Sequence, residues 1–169
     1  MSDVAPLPLH SEPVRPEWID LNGHMNVAYY GLVFEHALDA FAERIGMGVD
    51  YVKRTGRSIF ALDTRTIYVR EMLLNDPLQS AFQLIDFDAK RMHYLLHLKH
   101  GREGWMSAIF EAVSLHVDLA ERRAAPFPEA IRKQLAQFKE AHAALPRPAR
   151  LERPIGLASP IGLTRLAGA

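Results

Sequence analysis

Four apolar segments in the middle of the chain, joined by links of hairpin length, limit the fold more than any other feature. Ser58 to Glu71, Leu78 to Phe87, Arg91 to Lys99 and Trp105 to Val117 read as strands. Between them stand Asn75-Asp76-Pro77, Asp88-Ala89-Lys90 and Gly101-Arg102-Glu103-Gly104. A parallel pair needs a crossover of about a dozen residues or more, so these links imply an antiparallel meander. In Arg91 to His100, Met92, Tyr94, Leu96 and Leu98 form one apolar face opposite His93, His97 and Lys99. One face of the sheet must therefore pack against something.

The covering element lies upstream. Tyr30, Phe34, Ala37, Leu38, Phe41 and Ile45 recur at helical spacing, Asp39, Glu43 and Arg44 occupy other faces, and Gly46 suits the stop. The spacing predicts one helix from Val27 to Ile45. Leu32, Val33 and Ala40 widen its apolar stripe, so it is expected to be largely buried at the centre of the sheet. Before it, Ser11 to Trp18 reads as a short strand that Pro13 and Pro16 assign to an edge. After the sheet, Pro128 opens an amphipathic helix striped by Ile131, Leu135, Phe138 and His142 or Leu145, expected to be peripheral. Pro146 to Ala169 holds four prolines and repeats PIGL at Pro154 to Leu157 and Pro160 to Leu163, a unit too short to fold. It is expected to be an extended tail, dispensable for folding.

Composition narrows the function. The 169 residues, 49% of them hydrophobic, suffice for one core. Twenty basic residues balance twenty acidic ones, so no global field draws the protein to nucleic acid. The absence of cysteine excludes disulfides and thiol catalysis and fits the cytoplasm. MSDVAPLPLH lacks the blocks of a signal peptide, and no apolar run approaches the ~20 residues that span a bilayer. A soluble cytoplasmic protein is expected.

The densest polar chemistry is the stretch Asp20-Leu21-Asn22-Gly23-His24-Met25-Asn26. Two readings fit it. Asn-Gly is a strong turn signal, Asp20 can accept backbone amides, and Asn26 suits the N-cap of the long helix. Alternatively, in an extended segment alternate residues face one side, so Asp20, Asn22 and His24 point into one space while Gly23 admits a substrate. The helix start at Asn26 and Val27 adds unpaired N–H groups and the positive end of a dipole, a suitable environment for an oxyanion.

Strand, Asp-x-Asn-x-His turn, long buried helix and antiparallel strands together resemble the α+β hotdog fold of acyl-CoA and acyl-carrier-protein thioesterases. The resemblance runs through the Tyr30 and Phe34 helix face, GRSIFALDTRTIYVRE, DFDAKRMHYLLHL and SAIFEAVSLHVDL. It is closest to the betainyl-CoA thioesterases of carnitine breakdown, which similarly carry Trp-x-Asp-x-Asn-Gly-His, here Trp18 to His24. This implies a hotdog domain over residues 11–127, a C-terminal helix over 128–145 and a tail over 146–169. It also implies hydrolysis of an acyl-CoA without a cofactor, a homodimer or dimer of dimers, and catalytic roles for Asp20, Asn22 and His24. One departure stands out: hydroxybenzoyl-CoA thioesterases place their catalytic aspartate two positions earlier, where this chain has Trp18.

Other residues carry two readings each. Tyr30 is expected at the substrate. Lys90 and Arg91 are assigned either to the phosphates of coenzyme A or to a solvated hairpin. Trp105 and the tyrosines could line an acyl pocket, cradle a quaternary ammonium, or belong to the core. Glu35 and Glu111 fall among apolar neighbours and need partners, or serve as the catalytic carboxylate in a variant site. His93, His97 and His100 do not share a strand face, so no metal is assigned to them. The alternatives to a thioesterase are a hotdog hydratase or dehydratase, disfavoured because the Asp-x-x-x-x-His spacing of those enzymes occurs here only at Asp88 to His93, in a strand-to-strand link rather than in the turn before the long helix, and a non-catalytic acyl-CoA-binding protein.

Overall fold

In the computed structural model, which describes residues 5–152, the chain forms six strands and three α-helices. The N-terminal strand β1 (Leu7–Pro13) is followed by a 3-10 turn, Pro16–Trp18. The long helix α1 (Val27–Arg44) and a short helix α2 (Val49–Thr55) lead into β2 (Arg57–Tyr68). Then come β3 (Pro77–Phe87), β4 (Arg91–His100), β5 (Met106–Asp118), the two-residue β6 (Arg123–Ala124) and α3 (Glu129–His142). The sheet is antiparallel in the order β1-β3-β4-β5-β2, with β6 paired to β5. Because β1 and β2 occupy opposite edges, the segment between them must cross the sheet, and α1 fills that crossing.

Register explains the core. Phe82 pairs with Leu96, Leu96 with Phe110, Tyr94 with Ala112 and Leu98 with Ala108, so these side chains share the face beneath α1. Phe41 stacks on Phe82 at 3.6 Å between ring centroids, and Phe34 on Phe110 at 4.9 Å. The expectation of a largely buried α1 holds for the stripe through Tyr30, Val33, Phe34, Ala37 and Phe41, while Val27 and Leu32 remain 59% and 40% exposed.

Two expectations change, and one helix was not expected. The upstream strand ends at Pro13, paired with Pro77, and Pro16 instead opens the 3-10 turn that buries Trp18, because proline suits a first helical position and cannot feed a ladder. Helix α2 was not legible: seven residues with one buried side chain, Tyr51, show no helical period. Helix α3 is not peripheral. Ile131 and Leu135 belong to the main core, and His142 completes the stripe by accepting the Leu84 N–H at 3.0 Å.

Beyond α3 the chain lies along the outer face of the sheet. Leu151 joins Leu95 and Ile109 in a second apolar cluster, and Arg65 donates to the carbonyls of Leu151 and Arg150 at 3.1 and 3.3 Å. This part of the expected tail is packed, since Leu95 and Ile109 face away from α1 and need their own cover. The two PIGL repeats lie outside the described residues. No helix among the described residues is long and apolar enough to cross a membrane.

Candidate active site

The Asp20 to Asn26 segment is a closed turn rather than an extended strand. Asp20 N–H donates to the His24 carbonyl and Gly23 N–H to the Asp20 carbonyl, both at 3.0 Å, and Ile19 bridges Met25. Gly23 sits at φ +81°, in the left-handed region that favours glycine. The flanks are tied down as well: Met25 N–H reaches the Met72 carbonyl and Asn26 N–H the Trp18 carbonyl, each at 2.8 Å. Trp18 is stacked on Tyr29 at 5.5 Å beneath this turn.

Each polar side chain then has a distinct place. Asp20 Oδ1 accepts the Asn22 N–H at 2.8 Å, and the Asn22 amide nitrogen stands 3.4 Å from Oδ2. Asn22 is exposed and folds back on Asp20 instead of sharing a common space with it, because the turn breaks the alternation that an extended segment would impose. His24 Nδ1 faces two acceptors, Met25 O at 3.3 Å and Asp20 Oδ1 at 4.0 Å. It therefore carries the proton in the neutral ring and leaves Nε2 as an acceptor. Asn26 caps α1, its Oδ1 accepting the Ala28 N–H at 3.0 Å. The Val27 N–H has no hydrogen-bond partner among the described residues.

These groups open on a cavity of about 470 Å³. Asp20, His24, Asn26, Val27 and Tyr30 form one wall; Tyr68, Arg70 and Glu71 at the end of β2, Asp76, and His100, Glu103 and Trp105 of the β4–β5 hairpin form the rest. Tyr30 meets Tyr68 edge to face at 5.1 Å. Burial raises the Tyr30 phenol above its ordinary value against hydrogen bonds to Ser107 and Met72, so it stays a neutral donor. His100 Nδ1 accepts the Glu103 N–H at 3.1 Å, which turns Nε2–H toward Asp76 Oδ1, 3.5 Å away. Trp105 donates to Glu103 at 2.9 Å, and the Arg70 guanidinium lies 4.1 Å over its ring. Four carboxylates thus line the space with one guanidinium, and that cation is already stacked on the tryptophan.

Lys90 and Arg91 are not brought to this cavity. They form the β3–β4 hairpin, at the opposite end of the ten-residue β4 from His100 and so about 30 Å away along the strand. There Asp88, pulled down to about 2 by the Lys90 N–H and the Arg91 side chain, holds the hairpin together. The phosphate role assigned to them is thus not supported within one chain; the basic residue at the cavity is Arg70.

The other candidates resolve locally. Glu111 is paired with His93 at 2.9 Å and Arg147 at 2.6 Å on the outer sheet face. Glu35 does not line the cavity, and desolvation with the nearby Asp39 raises its carboxyl. His97 contacts Gln83 at 3.0 Å, so the three histidines of β4 have three separate partners. Arg70, Glu71, Asp76, His100 and Glu103 were missed as site residues. A signal for them existed: in a meander, links alternate between the two ends of the sheet, so the link before β3 and the link after β4 must converge.

The sequence matches the model of the thioesterase-like superfamily over residues 14–135, and the chain belongs to that family. It is a thioester hydrolase by class. Among its relatives is a betainyl-CoA thioesterase of Pseudomonas aeruginosa, 36% identical over 148 residues that make up 88% of this chain and 92% of the relative. A Rhizobium L-carnitine dehydrogenase/betainyl-CoA thioesterase is 32% identical over 88% of this chain, which spans 30% of that longer protein. In structure, a Staphylococcus aureus protein solved in complex with CoA superposes with a TM-score of 0.83 at 25% identity, covering 90% of this chain and 96% of that one. The 1,4-dihydroxy-2-naphthoyl-CoA thioesterase of Synechocystis shares the fold, with a TM-score of 0.65 at 15% identity over 83% and 98% of the two chains. The α+β hotdog architecture is thus the fold of this protein.

Proposed function

We propose that this chain hydrolyses an acyl-CoA whose acyl end carries a positive charge, with betainyl-CoA the best fit, and that Asp20 supplies the essential carboxylate. The observation that carries the proposal is the composition of the cavity at the start of α1: Asp20 and His24 beside the Val27 N–H, which has no partner among the described residues, with Glu71, Asp76 and Glu103 on the same lining. Such a lining disfavours an anionic acyl group and attracts a cationic one. The two relatives named for betainyl-CoA support the same substrate.

The carbonyl oxygen lies against the helix start, where the Val27 N–H and the α1 dipole stabilise its developing charge; one preorganised donor of this kind contributes ~10²–10³ in rate. Asp20 acts on the carbonyl carbon, through a water or by direct attack to an anhydride. Asn22 orients Asp20 through the backbone and side-chain contacts at 2.8 and 3.4 Å, and His24 Nε2 handles the proton exchanged with water or the leaving thiol. Tyr30 and Tyr68 form the apolar side of the acyl site, and Arg70, the guanidinium that lines the cavity, is assigned to the coenzyme phosphates. These steps draw on protein groups alone. Single turnover in ¹⁸O-labelled water identifies direct attack when label enters the Asp20 carboxylate, which happens only where water opens an anhydride at the Asp20 carbonyl.

The exposed edge strand β2 carries Phe60 and Leu62 at 52% and 56% exposure, and pairing of two such edges would remove the liability. A homodimer, or a dimer of dimers, in the cytoplasm completes the proposal. The substrate claim is tested by thiol release from betainyl-CoA and from its uncharged tert-butylacetyl isostere. The cationic substrate is expected to show at least ~10-fold higher kcat/KM, about 1.4 kcal/mol of discrimination. Equal values overturn the assignment of charge selection.

A further inference from the structure

We propose that His10, Glu12 and His36 form a binding site for a divalent transition ion of the zinc class, separate from the catalytic cavity. His10 and Glu12 are alternate residues of β1 and project to the same side, where the middle of α1 presents His36. Glu12 Oε1 stands 2.6 Å from His36 Nδ1 and 3.1 Å from His10 Nε2, and the three ligand atoms all lie within 4.8 Å of one another.

Two further observations favour a ligand over a simple ionic cluster. His10 Nε2 is buried without a hydrogen-bond partner among the described residues: its contact with Glu12 has the distance of a bond but not the direction. The Glu12 side chain is 7% exposed, and its second oxygen is held by Arg15 at 3.1 Å, which fixes Oε1 toward both imidazoles. Ligands at about 2.0–2.1 Å around a tetrahedral ion stand about 3.3 Å apart. The His10 contact is close to that spacing. His36 has to retreat by less than ~1 Å, which a side chain 32% exposed can do.

Two imidazoles and one carboxylate suit zinc, cobalt, nickel or ferrous iron rather than calcium or magnesium, which prefer oxygen ligands throughout. These three side chains supply three ligands, one short of the tetrahedral set that zinc prefers. None of the three residues lines the catalytic cavity. The ion would act as a clip, fastening the edge strand β1 to α1, the helix whose start forms the cavity wall.

The test uses the full chain, stripped with a chelator. Zn²⁺ is titrated by calorimetry and Co²⁺ by its visible d–d absorption, with thermal unfolding followed in parallel. One equivalent per chain is expected, with a rise in the thermal midpoint under excess Zn²⁺. His36→Asn and His10→Asn should each weaken Zn²⁺ by ~10² or more and abolish that rise. His93→Asn, on the opposite sheet face and paired with Glu111, should bind like wild type. Because both half-exposed histidine variants keep Glu12 and Arg15, far-ultraviolet circular dichroism is expected to match wild type. No stoichiometric binding, or binding that both histidine variants retain, overturns the site and leaves a hydrogen-bonded His-Glu-His cluster.

Discussion

Acid should destabilise this protein well before its carboxylates titrate, and His97 is the main reason. The ring is buried on the outer sheet face, 5% exposed, with Nε2 3.0 Å from Gln83 Oε1. The Gln83 amide nitrogen is directed to the Leu145 carbonyl at 3.4 Å, so its oxygen faces the histidine and accepts the Nε2 proton. Burial, then Lys99, then His142 push the ring from 6.5 down to about 4. Between those values the unfolded chain binds a proton that the folded chain refuses. Stability is therefore unaffected above pH 6.5, falls as pH drops below it, and has lost this contribution in full near pH 4. At about 1.36 kcal/mol per pH unit the gap amounts to about 3 kcal/mol, a large part of the usual margin of a domain. His116 and His142 are lowered too, chiefly by burial, and steepen the same slope. Urea unfolding of wild type and His97→Gln between about pH 7.5 and about pH 4.5 isolates the His97 part. The variant is expected to be less stable at neutral pH by about 1 kcal/mol, for the altered hydrogen bond, yet to lose about 3 kcal/mol less on acidification. Parallel pH profiles for the two proteins would show that His97 is not the group whose burial sets the acid sensitivity.

Leu135→Ala should cost about 2–5 kcal/mol in urea unfolding, because this α3 residue is 0% exposed within the main core; a loss below ~1 kcal/mol would return α3 to the periphery. Truncation before Pro146 should lower the thermal midpoint by several degrees, by uncovering Leu95 and Ile109 and removing the Arg147 contact to Glu111. Truncation after Glu152 serves as the comparison that retains those contacts. Light scattering should give at least twice the 19.1 kDa of one chain, whereas a 19.1 kDa species at working concentration contradicts pairing of β2 edges.

How far the sequence discloses this protein depends on the range of the interactions involved. The meander and α1 were legible because alternation in Arg91 to His100 and helical spacing from Tyr30 to Ile45 are local imprints of one buried face. The inward line of Met92, Tyr94, Leu96 and Leu98 is where alternation placed it. Helix α2 and the strand pair β5–β6 left no such imprint, being short and held by contacts such as Tyr51 with His116, 65 positions apart. At the candidate site, the turn and the Asn26 cap were legible, since both depend on bonds within a few residues. The role of Asn22 in a common space was not, because Gly23 at positive φ folds the segment back. Arg70, Glu71, Asp76 and Glu103 are far from Asp20 in sequence, and only sheet topology gathers them. The same topology removes Lys90 and Arg91 to the other end of β4.

The central claim is that Asp20 supplies the carboxylate for thioester hydrolysis. Asp20→Asn keeps the size and the ability of that position to accept the Asn22 N–H, and asparagine serves turns and caps about as well as aspartate. Thiol release at saturating betainyl-CoA, measured beside circular dichroism and thermal unfolding, is the most direct measurement. A fall in kcat of at least ~10² with an unchanged fold is expected. Equal thiol release by Asp20→Asn and wild type would contradict it, and would reduce the turn at the start of α1 to a structural cap.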